Sequence, residues 1–419
     1  MLVFECSQLF VEYQKQVSQY NLSYKENKKQ TKLFYLSVNC YNFRSIERFI
    51  EPRPCLKQPH SLPGCAATII LMGTQRILSG MRPTGKLHLG HFTGALESWV
   101  EQQNLLDEKG SRVYETCFLI ADYHNLTTSL DTSEIYSNSL DMLIDWLAAG
   151  IDPEKSPLFR QSQVKEHAEL FLIFAMLITS SRLERNPTLK EQIRDLNMDS
   201  LIYGHLGYPV LQAADILLYK GNVVPVGEDQ IPHVEITREI ARKFNNHYPH
   251  PVLGEVFAEP EPKITKFARL VGLDGKAKMS KSLGNTILLA DGPEEVLKKM
   301  RTAVTDTKKI RKNDPGHPEV CTVFSYHGKF TPKEQHSNIE IDCRAGSLGC
   351  VDCKKLCAAN ISRELAPLIE KRRYYEAHMD LVKNILLEGE VKAKMIARQT
   401  MLEVRTAMRF GETTGCNHL

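Results

Sequence analysis

Short apolar runs alternate with longer amphipathic runs from Arg76 to Phe244, and this alternation constrains the fold more than any other feature of the chain. The runs predict strands at 76–79, 115–121, 157–161 and 223–226 and helices at 90–109, 133–149, 166–179, 208–219 and 232–244. Ser133 is the expected N-cap of the second helix and Gly150 its stop. Strands that alternate with helices pair in parallel through crossover helices. The expected fold class is therefore α/β with a doubly wound parallel sheet, and ligands of such sheets bind at the carboxyl ends of the strands.

The turn after the first predicted strand is rich in glycine and proline and carries two histidines. It runs from Ser79 to His91 and reads SGMRPTGKLHLGH. A strand that enters such a bend and a helix that leaves it direct backbone N–H groups and the positive end of a helix dipole at an anion. Taken alone, the turn is more typical of a surface loop with unremarkable histidines, so the rest of the chain has to decide.

The predicted helix at 208–219, YPVLQAADILLY, is apolar on nearly all sides except at Asp215. An unpaired carboxylate in an apolar environment is costly. Asp215 therefore either pairs with another side chain for structural reasons or accepts a hydrogen bond from a ligand in an apolar pocket. A second polar loop, Gly227 to Gln230, follows the predicted strand at 223–226.

Two lysines and two serines lie close together in Lys278 to Ser282, which reads KMSKS and is bracketed by Gly275 and Gly284. Such a segment can close over a phosphate chain and open again. For the segment in isolation, a solvated basic loop is the favoured interpretation.

Beyond Thr286 the expected elements are helices, at 293–303, 315–326, 357–376 and 383–409, and their partial 3.6-residue periodicity predicts a helical bundle. The formal net charge of the chain is only +3, so a polyanionic partner has to meet a local basic patch. Seven basic residues between 298 and 312 could form this patch, and a solvated helix face is an equal alternative for them. They are Lys298, Lys299, Arg301, Lys308, Lys309, Arg311 and Lys312.

Four cysteines in this part of the chain are spaced as C-x21-C-x6-C-x2-C. They are Cys321, Cys343, Cys350 and Cys353, and Cys357 follows as a spare thiol or alternative ligand. The last pair suits one tetrahedral metal or one corner of a cluster, and four thiolates alone do not separate Zn²⁺ from iron–sulfur. The chain has 11 cysteines, and this odd, unevenly spaced set argues against a secreted disulfide framework and for an intracellular protein.

Residues 1–71 lack sustained periodicity and are expected to be a disordered extension, or to precede a true start at Met72. The remainder divides into an expected domain at 72–285, a helical domain at 286–412 whose last helix can pack back on the first, and a tail at 413–419. Hydrophobic residues make up 42% of the chain, as in globular proteins, and no apolar run approaches the roughly 18 residues of a membrane span.

The turn in which His88-Leu89-Gly90-His91 follows Pro83 after four residues, together with KMSKS roughly 190 residues later, resembles the two signatures of class I aminoacyl-tRNA synthetases. The stretches YPVLQAADILLY and VPVGEDQIPHVEITREIARKFN are similar to those of the tryptophanyl-tRNA synthetase family, and the resemblance covers roughly residues 74–412. It implies a Rossmann-like catalytic domain, an α-helical anticodon-binding domain and ATP-dependent ligation of tryptophan to tRNA(Trp).

The resemblance also implies roles for individual residues. Catalysis would involve His88, His91, Lys278, Ser280 and Lys281, with Mg²⁺ sharing the phosphate charge. Tryptophan would contact Tyr208, Asp215 and Gln230, with Asp215 accepting the indole N–H. ATP would contact Arg82, Pro83, Thr84, Gly90, His91, Gly227, Glu228, Asp229, Leu270, Lys278, Met279, Ser280, Lys281 and Ser282.

Further expectations follow from the same resemblance. A subset of the bacterial enzymes binds a [4Fe-4S] cluster through almost the cysteine spacing found here, which would make Cys321, Cys343, Cys350 and Cys353 its ligands, with zinc as the alternative. A cytoplasmic homodimer without membrane contact is implied. Tyrosine specificity is one alternative function, although the small residues Ala213 and Ala214 favour tryptophan. An iron–sulfur redox or sensory module on a nucleotide-binding fold is the other.

Overall fold

The computed structural model of the protein describes residues 75–190, 202–227, 230–264, 270–276 and 278–410. These residues belong to one compact unit. The expected extension at 1–71, the alternative start at Met72 and the tail at 413–419 lie outside the described residues. The domain boundary expected near residue 285 stays a prediction.

Five parallel strands form one sheet in the order β3-β2-β1-β4-β5. They are β1 (Gln75–Met81), β2 (Tyr114–Ile120), β3 (Leu158–Arg160), β4 (Val223–Val226) and β5 (Glu261–Ile264). The doubly wound parallel sheet predicted from the sequence is confirmed. Because β2 and β3 extend to one side of β1 and β4 and β5 to the other, the strand order reverses at β1, and a ligand crevice is expected at its carboxyl end.

Helices cover both faces of the sheet and make up most of the chain beyond residue 290. They are α1 (Leu89–His91), α2 (Glu97–Asn104), α3 (Asp122–Asn125), α4 (Ile135–Ala149), α5 (Glu166–Ala175), α6 (Ser180–Glu184), α7 (Tyr203–Leu206), α8 (Tyr208–Leu218), α9 (Ile231–His247), α10 (Pro293–Thr302), α11 (Thr322–Phe330), α12 (Lys333–Ala345), α13 (Cys350–Ala377) and α14 (Met379–Met408). A π-helical turn, Phe92–Leu96, joins α1 to α2. No helix in this described part of the chain has the length and apolarity needed to span a bilayer.

Alternate residues of β2 point to opposite faces of the sheet, as the pleat of a strand requires. Phe118 and Ile120 enter a core that also contains Trp99 of α2 and Trp146 of α4. Cys117 and Leu119 enter the second core, on the other face, with residues of α5, α8, α9 and α14. The first core continues without interruption into α10, α11 and α13, so the helices of the C-terminal region pack directly on those that cover the sheet.

The helix predicted at 90–109 ends earlier than expected, at Asn104. Leu105 adopts extended backbone, and Asp107 Oδ1 accepts the N–H groups of Lys109 and Ser111 at 2.9 and 2.8 Å. An aspartate that binds the backbone two and four residues onward favours a turn over a helix. The prediction was therefore wrong for the last five residues.

Several other helix ends also differ from the prediction. Ser133 is not an N-cap, because Asp131 holds its N–H at 2.9 Å and the helix begins at Ile135; Gly150 does end it, with a left-handed φ of 110°. The helix expected at 315–326 is wrong for its first seven residues, where Pro318–Val320 form a 3-10 turn and Cys321 is extended; its remainder belongs to α11, which begins at Thr322. α5 stops at Ala175, whereas α13 and α14 start earlier than predicted, at Cys350 and Met379.

The last helix, α14, returns from the C-terminal region to the sheet. Ala393 and Ala397 are fully buried in the second core, and Glu390 pairs with Arg160 at the end of β3 at 2.7 Å. At Gly389 the helix approaches the backbone of β3 so closely that a Cβ would lie 2.0 Å from the Leu158 carbonyl oxygen. Only glycine allows this contact.

Gly389→Ala is expected to lower the free energy of unfolding by roughly 1 to 3 kcal/mol, because α14 has to move away from β3. Gly328→Ala is the matched control: position 328 is exposed on α11, a methyl group there would lie 3.7 Å from its nearest neighbour, and alanine is neutral or stabilising by up to about 1 kcal/mol. Chemical denaturation of both variants checks this. Equal stability of the two would contradict the close approach.

Candidate active site

A cavity of about 440 Å³ opens at the carboxyl ends of β1, β2 and β4, where the sheet topology predicts a ligand. Its volume lies within the usual range for small-molecule sites. Residues from the histidine turn, from α8 and from the KMSKS segment meet in its wall. The predicted site residues that line it are Arg82, Thr84, His91, Tyr208, Asp215, Gly227, Gln230 and Lys278.

The other predicted site residues lie behind or beside this wall. Met279 is buried in the first core, so any contact with a nucleotide falls to its backbone. Glu228 and Asp229 lie outside the described residues. Pro83 and His88 are buried, Gly90, Leu270 and Ser280 are half-buried, Lys281 is exposed, and Ser282 belongs to a 3-10 turn.

The histidine turn is joined by backbone hydrogen bonds to the segment that follows KMSKS. The Leu89 N–H donates to the Ile287 carbonyl, and the Leu289 N–H donates to the Leu87 carbonyl, both at 2.9 Å. Asn285, which is buried, accepts the Ser280 N–H at 2.8 Å through its side-chain oxygen. The two signature segments therefore form one structural unit, although about 190 residues separate them.

The rings of His88 and His91 lie with centroids 3.8 Å apart and planes tilted by 37°, and the backbone N–H of His88 donates to His91 Nδ1 at 3.3 Å. A neutral His91 then carries its proton on Nε2, where it is a donor. Burial lowers the pKa of His88 to about 4, with Lys281 and Lys278 adding to the effect. Burial, His88 and the same lysines lower the pKa of His91 to about 3. Both rings are neutral at pH 7, in a positive field that suits an anion.

Lys281 binds the histidine turn from the other side. Its ammonium group donates to the Thr84 carbonyl and, at 3.0 Å, to the Lys86 carbonyl. Although Lys281 as a whole is exposed, partial burial of its ammonium group lowers the pKa of Lys281, against the opposing effect of Asp145 and Asp141. Lys281 thus holds the KMSKS segment against the turn, while Lys278 lines the cavity.

Asp215 is buried at the cavity wall and is fully paired. Its carboxylate accepts hydrogen bonds from Gln161 at 2.7 and 2.9 Å, from His124 at 2.9 Å and from His167 at 2.6 Å. Burial raises the pKa of Asp215, but the bonds and charges of the two histidines outweigh this and leave the pKa below its usual range. The structural interpretation of Asp215 is confirmed by these contacts, whereas its hydrogen bond to a ligand stays a prediction for a residue that lines the cavity.

The partners of Asp215 were missed at the sequence level. His124 follows β2 and Gln161 follows β3, so both stand at the strand ends where the sheet collects polar side chains. That rule would have found them. His167 comes from α5, and its other ring nitrogen lies 2.9 Å from the buried Tyr219 hydroxyl. No sequence signal marked this contact.

Comparison with known proteins agrees with this geometry. The family of class I tRNA synthetases for tryptophan and tyrosine matches residues 73–366. A tryptophan–tRNA ligase of Thermotoga maritima is 49% identical over 338 residues, 80% of this chain and 99% of that protein. One of Aquifex aeolicus is 43% identical over 407 residues, covering 80% and 100%. The structure of tryptophanyl-tRNA synthetase from Campylobacter jejuni, complexed with ADP and tryptophane, matches with a TM-score of 0.70 at 34% identity, covering 80% of this chain and 100% of that one.

The chain belongs to the class I tRNA synthetases for tryptophan and tyrosine. The resemblance drawn from the two signature segments is confirmed at the level of family and fold.

Four of the synthetase's cysteines gather where α11, α12 and α13 meet. Burial raises the pKa of Cys353 to about 12, and Cys321, Cys343 and Cys350 raise it further as electrostatic neighbours. Cys357 instead points into the first core and is fully buried. Among the described residues, no three His, Cys, Asp or Glu side chains are placed so that they could hold one metal ion.

The neutral state of the two histidines predicts how stability depends on pH. The unfolded chain binds these protons below about pH 6.5, whereas the folded chain does so only near pH 4 and 3, so the free energy of unfolding falls as the pH decreases from 6.5 toward 4. His91→Asn removes one titrating group. Between pH 7 and 5, denaturant titrations should show the wild type losing on the order of 1 to 2 kcal/mol more than this variant. Identical losses of the free energy of unfolding would mean that His91 is already protonated in the folded protein at pH 5.

Proposed function

We propose that this synthetase activates tryptophan with ATP and then transfers it to tRNA(Trp). The observation that carries the proposal is a carboxylate, Asp215, in the wall of a cavity that also contains His91 and Lys278 of the two signature segments. The relatives from Thermotoga maritima and Aquifex aeolicus are tryptophan–tRNA ligases, and this chain spans 99% and 100% of their lengths.

The first step requires no nucleophile from the protein. A carboxylate oxygen of tryptophan attacks the α-phosphorus of ATP, the bond from this phosphorus to the bridging oxygen breaks, and pyrophosphate leaves with its electron pair. In the second step a ribose hydroxyl of the tRNA attacks the tryptophanyl carbonyl and AMP leaves. The protein therefore accelerates activation by positioning the reactants and stabilising negative charge, which calls for donors and cations.

The histidine turn and KMSKS supply both. His91 lines the cavity and, with Nδ1 accepting the His88 backbone N–H, carries its proton on Nε2 as a neutral donor, while Lys278 adds a positive charge. Lys281 would exchange the carbonyls of Thr84 and Lys86 for phosphate oxygens as the segment closes on ATP. Mg²⁺ would arrive bound to the phosphates, since this ion keeps most of its other ligands as water.

Recognition of the indole N–H at Asp215 requires a change of partners. The carboxylate has about four acceptor positions, and Gln161, His124 and His167 occupy them. His124 is the one of these three that lines the cavity with Asp215. The indole N–H would therefore share or replace the His124 bond at Oδ2, while His167 and Gln161 keep the carboxylate oriented. Tyr208 and Gln230, in the same wall, are the proposed partners of the α-ammonium group.

Amino-acid-dependent exchange of labelled pyrophosphate into ATP tests the function. Tryptophan is expected to support exchange with a kcat/KM at least about 100-fold above that of tyrosine, because a site built around one buried acceptor discriminates by hydrogen bonding. Exchange driven by tyrosine would establish the alternative specificity. No exchange with any amino acid would refute the ligase and favour the redox or sensory module.

Asp215→Asn tests the pocket. The amide keeps the size of the side chain but weakens acceptance of the indole N–H, so kcat/KM for tryptophan is expected to fall about 10- to 100-fold while the KM for ATP stays within about 2-fold. Glu101→Gln is the matched control, because Glu101 is exposed on α2 and outside the cavity. If pyrophosphate exchange is unchanged in Asp215→Asn, and denaturation shows that the variant is folded, the tryptophan site lies elsewhere.

The basic segment at 298–312 is the proposed contact for tRNA phosphates. Three of its residues have other contacts: Lys299 pairs with Asp291 at 2.6 Å, Lys309 is buried with its ammonium bound to the Asp314 carbonyl, and the exposed Lys298 lies 3.6 Å from Glu295. A cytoplasmic homodimer, as the family resemblance implies, completes the proposal. The residues that remain exposed for phosphate are Lys298, Arg301, Lys308, Arg311 and Lys312.

We further propose that Cys321, Cys343, Cys350 and Cys353 hold a [4Fe-4S] cluster. Their mutual electrostatic influence supports a shared site. The thiolates around one zinc ion lie ~3.8 Å apart, whereas each thiolate of a cubane cluster binds a different iron and stands farther off. A cluster therefore requires a wider spacing of the four thiols than a single zinc ion does. Bound there, it would cross-link the ends of α12 and α13 beside the basic segment.

Protein purified without oxygen is expected to be brown, with about four irons and four acid-labile sulfides per chain. Cys353→Ser should lose most of the iron. Cys357→Ala, which changes the neighbouring core thiol, should keep it. A colourless protein with stoichiometric zinc, or loss of iron in the Cys357 variant alone, would overturn the assignment.

A further inference from the structure

A buried ion pair joins the C-terminal region to the helix behind the histidine turn. Arg372 of α13 and Asp145 of α4 are 2% and 0% exposed. The Arg372 guanidinium donates to Asp145 Oδ1 and, at 2.9 Å, to Asp141 Oδ1, and the Glu376 carboxylate lies 3.0 Å from its Nε. Neither Arg372 nor Asp145 lines the cavity.

The second oxygen of Asp145 binds the histidine turn itself. Asp145 Oδ2 accepts the Leu87 N–H at 2.7 Å, one residue before His88. The Leu87 carbonyl in turn accepts the Leu289 N–H at 2.9 Å. The peptide groups that flank Leu87 are therefore fixed on one side by Asp145 and on the other by the segment after KMSKS.

Lys281 holds the same stretch of backbone from its carbonyl side, at Thr84 and Lys86. Asp145 and Asp141 act on this lysine electrostatically, raising its pKa against the effect of burial. Asp145 thus bears on both signature segments, by a hydrogen bond to the turn and by its charge on Lys281.

The chemistry of the pair argues against a purely structural role. A buried ion pair is a poor source of stability compared with well-packed apolar side chains. Burial raises the pKa of Asp145 to about 6 even with Arg372 beside it, so without the arginine the carboxyl would take up a proton. A protonated Asp145 would no longer offer two anionic oxygens, one for the guanidinium and one for the Leu87 N–H.

We propose that Arg372 and Asp145 are positioning residues for adenylate formation, through which the long helix α13 fixes the backbone at Leu87 and so the placement of His88 and His91. The inference rests on the proposed ligase activity. The C-terminal region then contributes to the ATP site although Arg372 lies outside its cavity.

Three variants of the full-length protein test the proposal, compared by tryptophan-dependent pyrophosphate exchange. In Arg372→Met, kcat is expected to fall about 10- to 100-fold, since small misplacement of catalytic groups has effects of that size. The KM for tryptophan should stay within about 2-fold. Arg372→Lys should retain part of the rate. Arg373→Met is the matched control, because Arg373 is exposed on the same helix, and its kcat should equal that of the wild type.

The double variant Arg372→Met with Asp145→Asn separates positioning from loss of the fold. An asparagine oxygen still accepts the Leu87 N–H and needs no cation, so the double variant should recover at least about 5-fold of the kcat lost in Arg372→Met, a size typical of coupled neighbours. No recovery, an unchanged kcat in Arg372→Met, or an equal loss of tryptophan binding and rate would overturn the proposal.

Amide hydrogen exchange gives a readout that does not depend on activity. The amides of residues 85–91 should exchange faster in Arg372→Met than in the wild type and return toward wild-type rates in the double variant. If the wild type catalyses no exchange of pyrophosphate but the two variants change the amide exchange of residues 85–91 in this way, the ligase proposal fails and the positioning of the turn stands. Unchanged amide exchange would refute the positioning itself.

Discussion

Two backbone hydrogen bonds, between Leu89 and Ile287 and between Leu289 and Leu87, are the contact on which the rest of the site depends. They join the turn after β1 to the segment after KMSKS, so the groups that would meet ATP are brought together by main chain rather than by a shared element. Such a junction has no side-chain specificity of its own. Its geometry is set by Asn285, Lys281 and Asp145, each of which binds a backbone group of one partner.

Charge is distributed unevenly across the cavity in a way that matches its two proposed substrates. On the phosphate side, Lys278 and the half-buried, neutral imidazole of His91 line the cavity. On the amino-acid side, the single anion among the wall residues that the structure describes is Asp215, kept ionised by two histidines. A buried carboxylate is costly unless its oxygens are satisfied, so the network behind Asp215 is what allows an acceptor to stand in an apolar pocket.

The sequence predicted the parallel sheet because each strand and crossover helix has its own hydrophobic period. It singled out His91 and Lys278 because they belong to compact signatures, and Asp215 because it is the one carboxylate in an apolar helix. It did not predict where helices end at Asn104 or begin at Thr322. The Asp107 side chain captures backbone N–H groups just after Asn104, and the Asp306 side chain captures the His317 N–H inside the segment expected to be helical. Nor did it find Arg372, which belongs to a helix whose charged residues all look alike in sequence. An ion pair between residues far apart in the sequence, such as Arg372 and Asp145, produces no local periodic pattern that could predict it.

The most direct test of the proposed site is the structure of the complex with tryptophan and a non-hydrolysable ATP analogue. We expect the indole N–H within hydrogen-bonding distance of Asp215 Oδ2, with the His124 bond lengthened or lost, and the phosphates between His91 and the lysines of KMSKS. A nucleotide bound away from the histidine turn, or an indole whose N–H meets another acceptor, would contradict the proposed site.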